Sequence, residues 1–139
     1  MIKPRVLFIC SGNSCRTQMA EAFLRDLAGD CFEALSAGAE ATALDADAIA
    51  VMEEVGLDIT VQTPKKVNQF LGERVAYLVT LCEREIEKTC PIFPGATWRL
   101  EWPIDSPAAG QSAHDRRALT RRVRDEIRQH VVRFVEEHA

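Results

Sequence analysis

The chain alternates short apolar runs with amphipathic stretches of helical period. Val6-Leu7-Phe8-Ile9-Cys10 contains no charged residue and follows Arg5, which reads as a strand over residues 5–10. From about Thr17 to Ala28 the residues Met19, Ala20, Phe23, Leu24 and Leu27 share one side of a helix, with Gly29 as its C-cap. Phe32 to Ala37 predicts a second strand, closed by Gly38. Asp45 or Asp47 caps a helix running to about Val55, with Ile49, Met52 and Val55 on one face and Gly56 after it. Thr63-Pro64 opens a short helical stretch through Val67 to Leu71. Val75 to Leu81 is a third strand, apolar enough to be buried on both faces, and Thr97 to Trp102 a fourth. Between them Glu83 to Lys88 is charged, helix-prone and easily rearranged. A last helix runs from about Ser112 to Glu137, with Leu119, Val123, Ile127, Val131 and Phe134 stepping along one face.

Strands that alternate with helices imply an α/β fold: a single-domain, open four-stranded parallel sheet with helices on both faces, spanning residues 1–139. Ligands in such folds bind beyond the C-terminal ends of the strands. The net charge of −4 gives no global attraction to nucleic acid. Arginines of the last helix (Arg116, Arg117, Arg121, Arg122, Arg124, Arg128) are interspersed with Asp115, Asp125 and Glu126, as on a solvated face. The longest apolar run is too short for a membrane span or a signal-peptide core. Five cysteines, an odd number, do not make a secreted disulfide framework and suggest a cytoplasmic protein with reduced thiols. No Cys-x-x-Cys pair or histidine cluster suggests a metal site.

The junction of the first strand and first helix carries the candidate chemistry. Cys10 ends the strand, Ser11-Gly12-Asn13-Ser14-Cys15 forms a tight loop, and Arg16 and Thr17 open the helix. A loop there turns backbone N–H groups inward and adds the positive end of the helix dipole, which makes an anion site of residues 11–17. The same field favours the thiolate of Cys10, and the planar fork of Arg16 suits a tetrahedral oxyanion. Cys82 ends the third strand as Cys10 ends the first, so both thiols point toward one sheet edge. If residues 82–90 were helical, the Cα atoms of Cys82 and Cys90 would stand about 12 Å apart. A disulfide between them then requires the segment to unwind or loop.

Cys10-Ser-Gly-Asn-Ser-Cys-Arg16 with Gln18-Met19-Ala20-Glu21 resembles the low-molecular-weight protein tyrosine phosphatase superfamily, and within it the thioredoxin-coupled arsenate reductases. Ser36-Ala37-Gly38, Val79-Thr80-Leu81-Cys82, Cys90-Pro91-Ile92 and Trp102 with Pro107 extend the likeness over nearly the whole chain. The resemblance implies reduction of arsenate through a cascade of Cys10, Cys82 and Cys90, with thioredoxin resetting the enzyme and no cofactor bound. It implies that Asn13 holds a left-handed kink, that Ser14 and Thr17 offer hydroxyls to the loop and to Cys10, and that Cys15 is structural, with oxidation to Cys10 as the lesser alternative. Thr17 stands where relatives usually have Ser. Cys31 matches no catalytic position.

Two positions depart from the family pattern. Relatives carry a general-acid Asp immediately before a proline, where this chain has Ser106-Pro107 with Asp105 one residue earlier. Asp105 then serves as the acid only if the loop shifts, and a serine hydroxyl is a poor substitute. Some relatives hold a potassium ion with residues matching Asn13, Glu21 and Ser36 and a further Asp; Lys65 occupies that last position, where an ammonium would stand in for the ion or point to solvent. A phosphatase hydrolysing phosphotyrosine or another phosphomonoester through Cys10 is the alternative reading; a non-catalytic oxyanion-binding or redox-sensing module is a third.

Overall fold

The computed structural model describes residues 2–82, 91–105 and 112–139. β1 (Arg5–Cys10), β2 (Glu33–Gly38), β3 (Val75–Thr80) and β4 (Ala96–Glu101) form one parallel sheet in the order β2-β1-β3-β4. The helices are α1 (Arg16–Ala28), α2 (Ala46–Glu53) and α3 (Ala113–His138). Each predicted strand and long helix is present, with ends moved by one or two residues. Register in the centre pairs Phe8 with Val79 and Ile9 with Thr80, and sets Cys10 level with Gly38 of β2.

Alternation along β1 divides the core between the two faces of the sheet. Val6, Phe8 and Cys10 join Met19, Phe23 and Leu24 of α1, Val51 and Met52 of α2, and Val123, Ile127, Val131 and Phe134 of α3. Leu7, Ile9, Ala37 and Leu78 occupy the other face with Phe70 and Phe93. The three α-helices therefore lie on the first face. The second is covered, among the described residues, by the 3-10 turn Val67–Phe70 and by Phe93. Phe8 is fully buried, and truncating such a side chain to alanine costs about 3–5 kcal/mol.

Local details differ from the pattern-based expectation where tertiary packing decides. The buried stripe of α2 is Ala48, Val51 and Met52, and Val55 is exposed beyond the helix end. Leu27 is likewise exposed. Gly29 caps α1 in a right-handed conformation (φ −64°), because the chain keeps turning through Gly29–Cys31 before entering β2. Gly56 does take the left-handed form (φ 81°).

The arginines of α3 are not all a solvated face. Arg117 pairs with Asp47 at 2.6 Å, Arg121 with Glu54 at 2.7 Å, and Arg124 with Glu54 at 2.8 Å. Arg124 is buried and also donates to the Val51 carbonyl at 2.8 Å. These contacts fix α2 against α3, and the two arginine partners hold the Glu54 carboxyl down at about 2. Arg116, Arg122 and Arg128 remain exposed.

Candidate active site

The start of α1 is built differently from the other helix N-termini. Asp45 caps α2 by accepting from the Ala48 N–H, and Ser112 caps α3 by accepting from the Asp115 N–H. The N-cap of α1, Cys15, makes no side-chain cap, and the helix's first turn holds no acidic residue. Its leading N–H groups and dipole are thus directed at the loop that precedes it, where an anion is favoured.

Carbonyl groups of that loop are drawn outward by the segment linking β2 to α2. Ala39, Glu40, Thr42 and Asp45 donate backbone N–H bonds to the carbonyls of Cys10, Ser11, Gly12 and Ser14, at 3.0–3.3 Å. Thr42 Oγ1 adds a bond to Gly12 O at 3.0 Å, and Gln18 Nε2 takes the Asn13 carbonyl at 3.0 Å. With its acceptors occupied on the outside, the loop presents donors inward. Two residues make this packing possible. Asn13 supplies the left-handed turn (φ 52°) while fully buried. Gly38 lets the loop close on β2, since a Cβ there would lie 2.7 Å from Asn13 N.

Cys10 sits at the centre of this arrangement and is almost wholly buried. The Asn13 N–H donates to its sulfur at 3.4 Å, and Thr17 Oγ1 lies 3.4 Å from it on the other side. Arg16, also buried, donates from Nη1 to the carbonyls of Ile104 (2.9 Å) and Leu81 (3.3 Å), the residues just beyond β4 and β3. Those bonds fix the guanidinium against the chain just beyond β3 and β4. Ser11 Oγ lies 3.9 Å from the sulfur of Cys82, which is buried next to the loop because β1 and β3 are neighbours. The structure thus gathers Cys10, Ser11, Asn13, Arg16, Thr17 and Cys82 at one sheet edge.

Cys15 is the N-cap of α1. Burial, reinforced by the Asp45 carboxylate, pushes its thiol well above the ordinary value, and a protonated thiol is a poor nucleophile. Cys31 is exposed in the turn before β2, away from these contacts. Asp105 makes none of the hydrogen bonds or ion pairs that assemble the loop. It is exposed and lines a cleft with Leu119, Arg122, Val123, Asp125, Glu126 and Gln129 of α3. Cys90, Ser106 and Pro107 lie outside the described residues.

A buried polar layer supports the loop from beneath. Glu21 accepts from Ser36 Oγ (2.5 Å) and Arg25 Nη2 (2.6 Å), and the Lys65 ammonium stands 3.8 Å from it. Lys65 Nζ also donates to Thr63 O at 2.6 Å, and the Lys65 N–H to Asn13 Oδ1 at 2.7 Å. The ammonium therefore lies within reach of the Glu21 carboxylate. Among the described residues no group of His, Cys, Asp or Glu is arranged to hold a metal ion. Sequence reasoning missed Thr42 and Gln62, which join this region only through contacts across 30 and 44 positions. Gln18 was visible as part of the motif, without a role.

The described residues include no helix long and apolar enough to cross a membrane. A profile of the low molecular weight phosphotyrosine protein phosphatase family matches residues 5–138. An arsenate reductase of Halalkalibacterium halodurans is 38% identical over 137 residues, covering 98% of each chain. The solved structure of an arsenate reductase in the phosphate binding state superposes with a TM-score of 0.82 at 29% identity, over 99% of this chain and all of that one. A thioredoxin-dependent arsenate reductase of Corynebacterium glutamicum gives a TM-score of 0.73 at 26% identity, over 97% of this chain and 61% of its own. By its sequence, its sheet order and the loop between β1 and α1, the chain belongs to the low molecular weight phosphotyrosine protein phosphatase family.

Proposed function

We propose that this protein is a cytoplasmic arsenate reductase that uses Cys10, Cys82 and Cys90 in a thiol–disulfide cascade, with thioredoxin as its reductant. The observation that carries the reading is the position of Cys82. A second buried thiol lies against the hydroxyl of Ser11, the residue next to Cys10. Phosphate ester hydrolysis has no use for that sulfur, whereas a two-electron reduction needs it. Relatives named as arsenate reductases, one of them thioredoxin-dependent, agree with the choice.

In this reading the donors of residues 11–17 and the Arg16 fork hold arsenate, and they carry its charge through the reaction. The Cys10 thiolate attacks arsenic(V); one arsenic–oxygen bond breaks, and that oxygen leaves as water after protonation. The Cys82 sulfur then attacks the Cys10 sulfur. The sulfur–arsenic bond breaks with its electron pair passing to arsenic, which leaves as arsenite, and a Cys10–Cys82 disulfide forms. Cys90 attacks Cys82 and expels Cys10 as thiolate, giving Cys82–Cys90. A dithiol reduces that bond and is itself oxidised. Both electrons come from cysteine, so the scheme involves no flavin or nicotinamide.

The phosphatase alternative requires a group that protonates an alkoxide or phenolate leaving group. Asp105, the sequence's candidate, lies with α3 instead of with the loop contacts. The test is a titration of free thiols after a single exposure to arsenate without reductant. The reductase loses two thiols per arsenite released; a phosphatase loses none.

A further inference from the structure

We propose that Arg25, Gln62, Gln18 and Asn13 form a polarised relay that makes Thr17 a hydrogen-bond donor to the Cys10 sulfur, with Gln62 as a positioning residue for the nucleophile. The proposal rests on reading Cys10 as the attacking group, and deepens it. The links are continuous. Arg25 Nη1 donates to Gln62 Oε1 at 3.1 Å, and Gln62 Nε2 donates to Gln18 Oε1 at 2.7 Å. Gln18 Nε2 donates to Asn13 Oδ1 at 3.1 Å, and Asn13 Nδ2 donates to Thr17 Oγ1 at 2.8 Å. Thr17 Oγ1 ends the series 3.4 Å from Cys10 Sγ.

Its direction follows from donor and acceptor inventory. A guanidinium only donates, so the carbonyl end of Gln62 must face Arg25 and its amide NH₂ must face Gln18. That turns the Gln18 carbonyl toward Gln62 and its NH₂ toward Asn13. The backbone N–H of Lys65, also donor-only, meets Asn13 Oδ1 from the far end at 2.7 Å. Asn13 must therefore offer its NH₂ to Thr17, which fills one of the hydroxyl's two lone pairs and favours turning its hydrogen toward the sulfur. Reversing any one amide would set acceptor against acceptor inside a layer where Asn13, Thr17 and Gln18 are fully buried and Gln62 nearly so. Successive amides aligned in this way polarise one another away from the Arg25 cation. A hydroxyl held as donor stabilises negative charge on Cys10, where a hydroxyl free to rotate could equally accept from the thiol.

Among the described residues, the other charged or titratable groups around this loop are Arg16 and the Cys15 thiol at the start of α1, and Cys82 after β3. Beneath the loop, Glu21, Arg25 and Lys65 make the neighbouring ion pairs. Gln62 touches none of the reacting atoms, which makes it the informative position to change. The apolar, similarly sized Gln62→Met removes one link and leaves the loop's own residues intact.

The measurement is site-resolved alkylation of Cys10 by iodoacetamide, read by peptide mass spectrometry at about pH 6.5 and about pH 9.5, either side of an ordinary thiol. A purely structural change alters both rates together, whereas loss of the donor lowers the rate at the lower pH alone. Gln62→Met should reduce the ratio of the two rates about two- to tenfold, the range for losing one hydrogen bond, and Gln18→Met at least as much. Either folded variant reads the effect. A ratio unchanged from wild type in Gln62→Met, or in Gln18→Met if only that variant folds, overturns the relay and leaves the nucleophile reading standing. A wild-type ratio as low as that of glutathione overturns both.

Discussion

Ser11 Oγ and Cys82 Sγ lie 3.9 Å apart, joining the anion loop after β1 to the first residues beyond β3. The contact exists because parallel pairing of β1 and β3 brings their C-terminal ends level. Two thiols of unlike sequence context are thereby set at one edge, one inside the loop and one against its first residue. Ser11→Ala keeps the loop's backbone donors and removes only this hydroxyl. Phosphate should inhibit the variant about as well as wild type, while formation of the Cys10–Cys82 disulfide slows about two- to tenfold. Stopped turnovers with arsenate, analysed for disulfide and for bound oxyanion, separate the two effects.

Arg16 holds its place through the carbonyls of Leu81 and Ile104. Lysine at this position keeps a charge and loses both the planar fork and one of these braces. Arg16→Lys is expected to lower kcat/KM for arsenate about a hundredfold or more, as for removal of an oxyanion donor. Steady-state kinetics with phosphate as competitor checks it, and an unchanged kcat/KM contradicts the clamp.

Legibility in the sequence followed the range of the interaction. β1 and β3 were plain because strands buried on both faces read as unbroken apolar runs, and the Cys10–Arg16 loop because its residues are local. The outward pull on the loop's carbonyls was not visible. It comes from residues 39–45, a stretch without periodicity whose role lies in backbone donors that every residue type except proline supplies. Gln62 was hidden for the same reason, since a lone glutamine between Val61 and Thr63 carries no sign of a partner 44 positions earlier. The α3 arginines were read by composition, which counts charges and does not know that α2 presents Asp47 and Glu54 to three of them.

Lys65 faces Glu21, which also binds Ser36 and Arg25 under the loop. If its ammonium takes the place of a bound monovalent cation, Lys65→Ala leaves Glu21 with one cation fewer. Activity of the variant should fall severalfold and recover in part on adding potassium chloride in place of a bulky-cation salt at equal ionic strength. Wild type should respond equally to both salts. Identical behaviour of the two proteins removes this role from Lys65.

Glu54 ties α2 to α3 through Arg121 and Arg124, which hold its carboxyl at about 2 against an ordinary 4.5. A carboxyl depressed on folding contributes stability that is complete above its unfolded value and lost as pH falls toward the folded one. The melting-temperature gap between wild type and Glu54→Gln is therefore expected to be constant near neutrality and to shrink between about pH 4.5 and about pH 2. Thermal unfolding across that range tests it. A gap independent of pH would place the stabilisation elsewhere.

The central claim is that Cys82 attacks Cys10 and that Cys90 serves only to resolve the product. Cys90→Ser isolates the first two steps, because arsenite leaves before Cys90 acts. Mixed with excess arsenate and a thioredoxin system, this variant should release one arsenite per protein and then stop. Peptide mass mapping of the stalled protein should find Cys10 bonded to Cys82. Arsenite release that continues at the wild-type rate, or a stalled protein with no disulfide at Cys82, contradicts the three-thiol scheme.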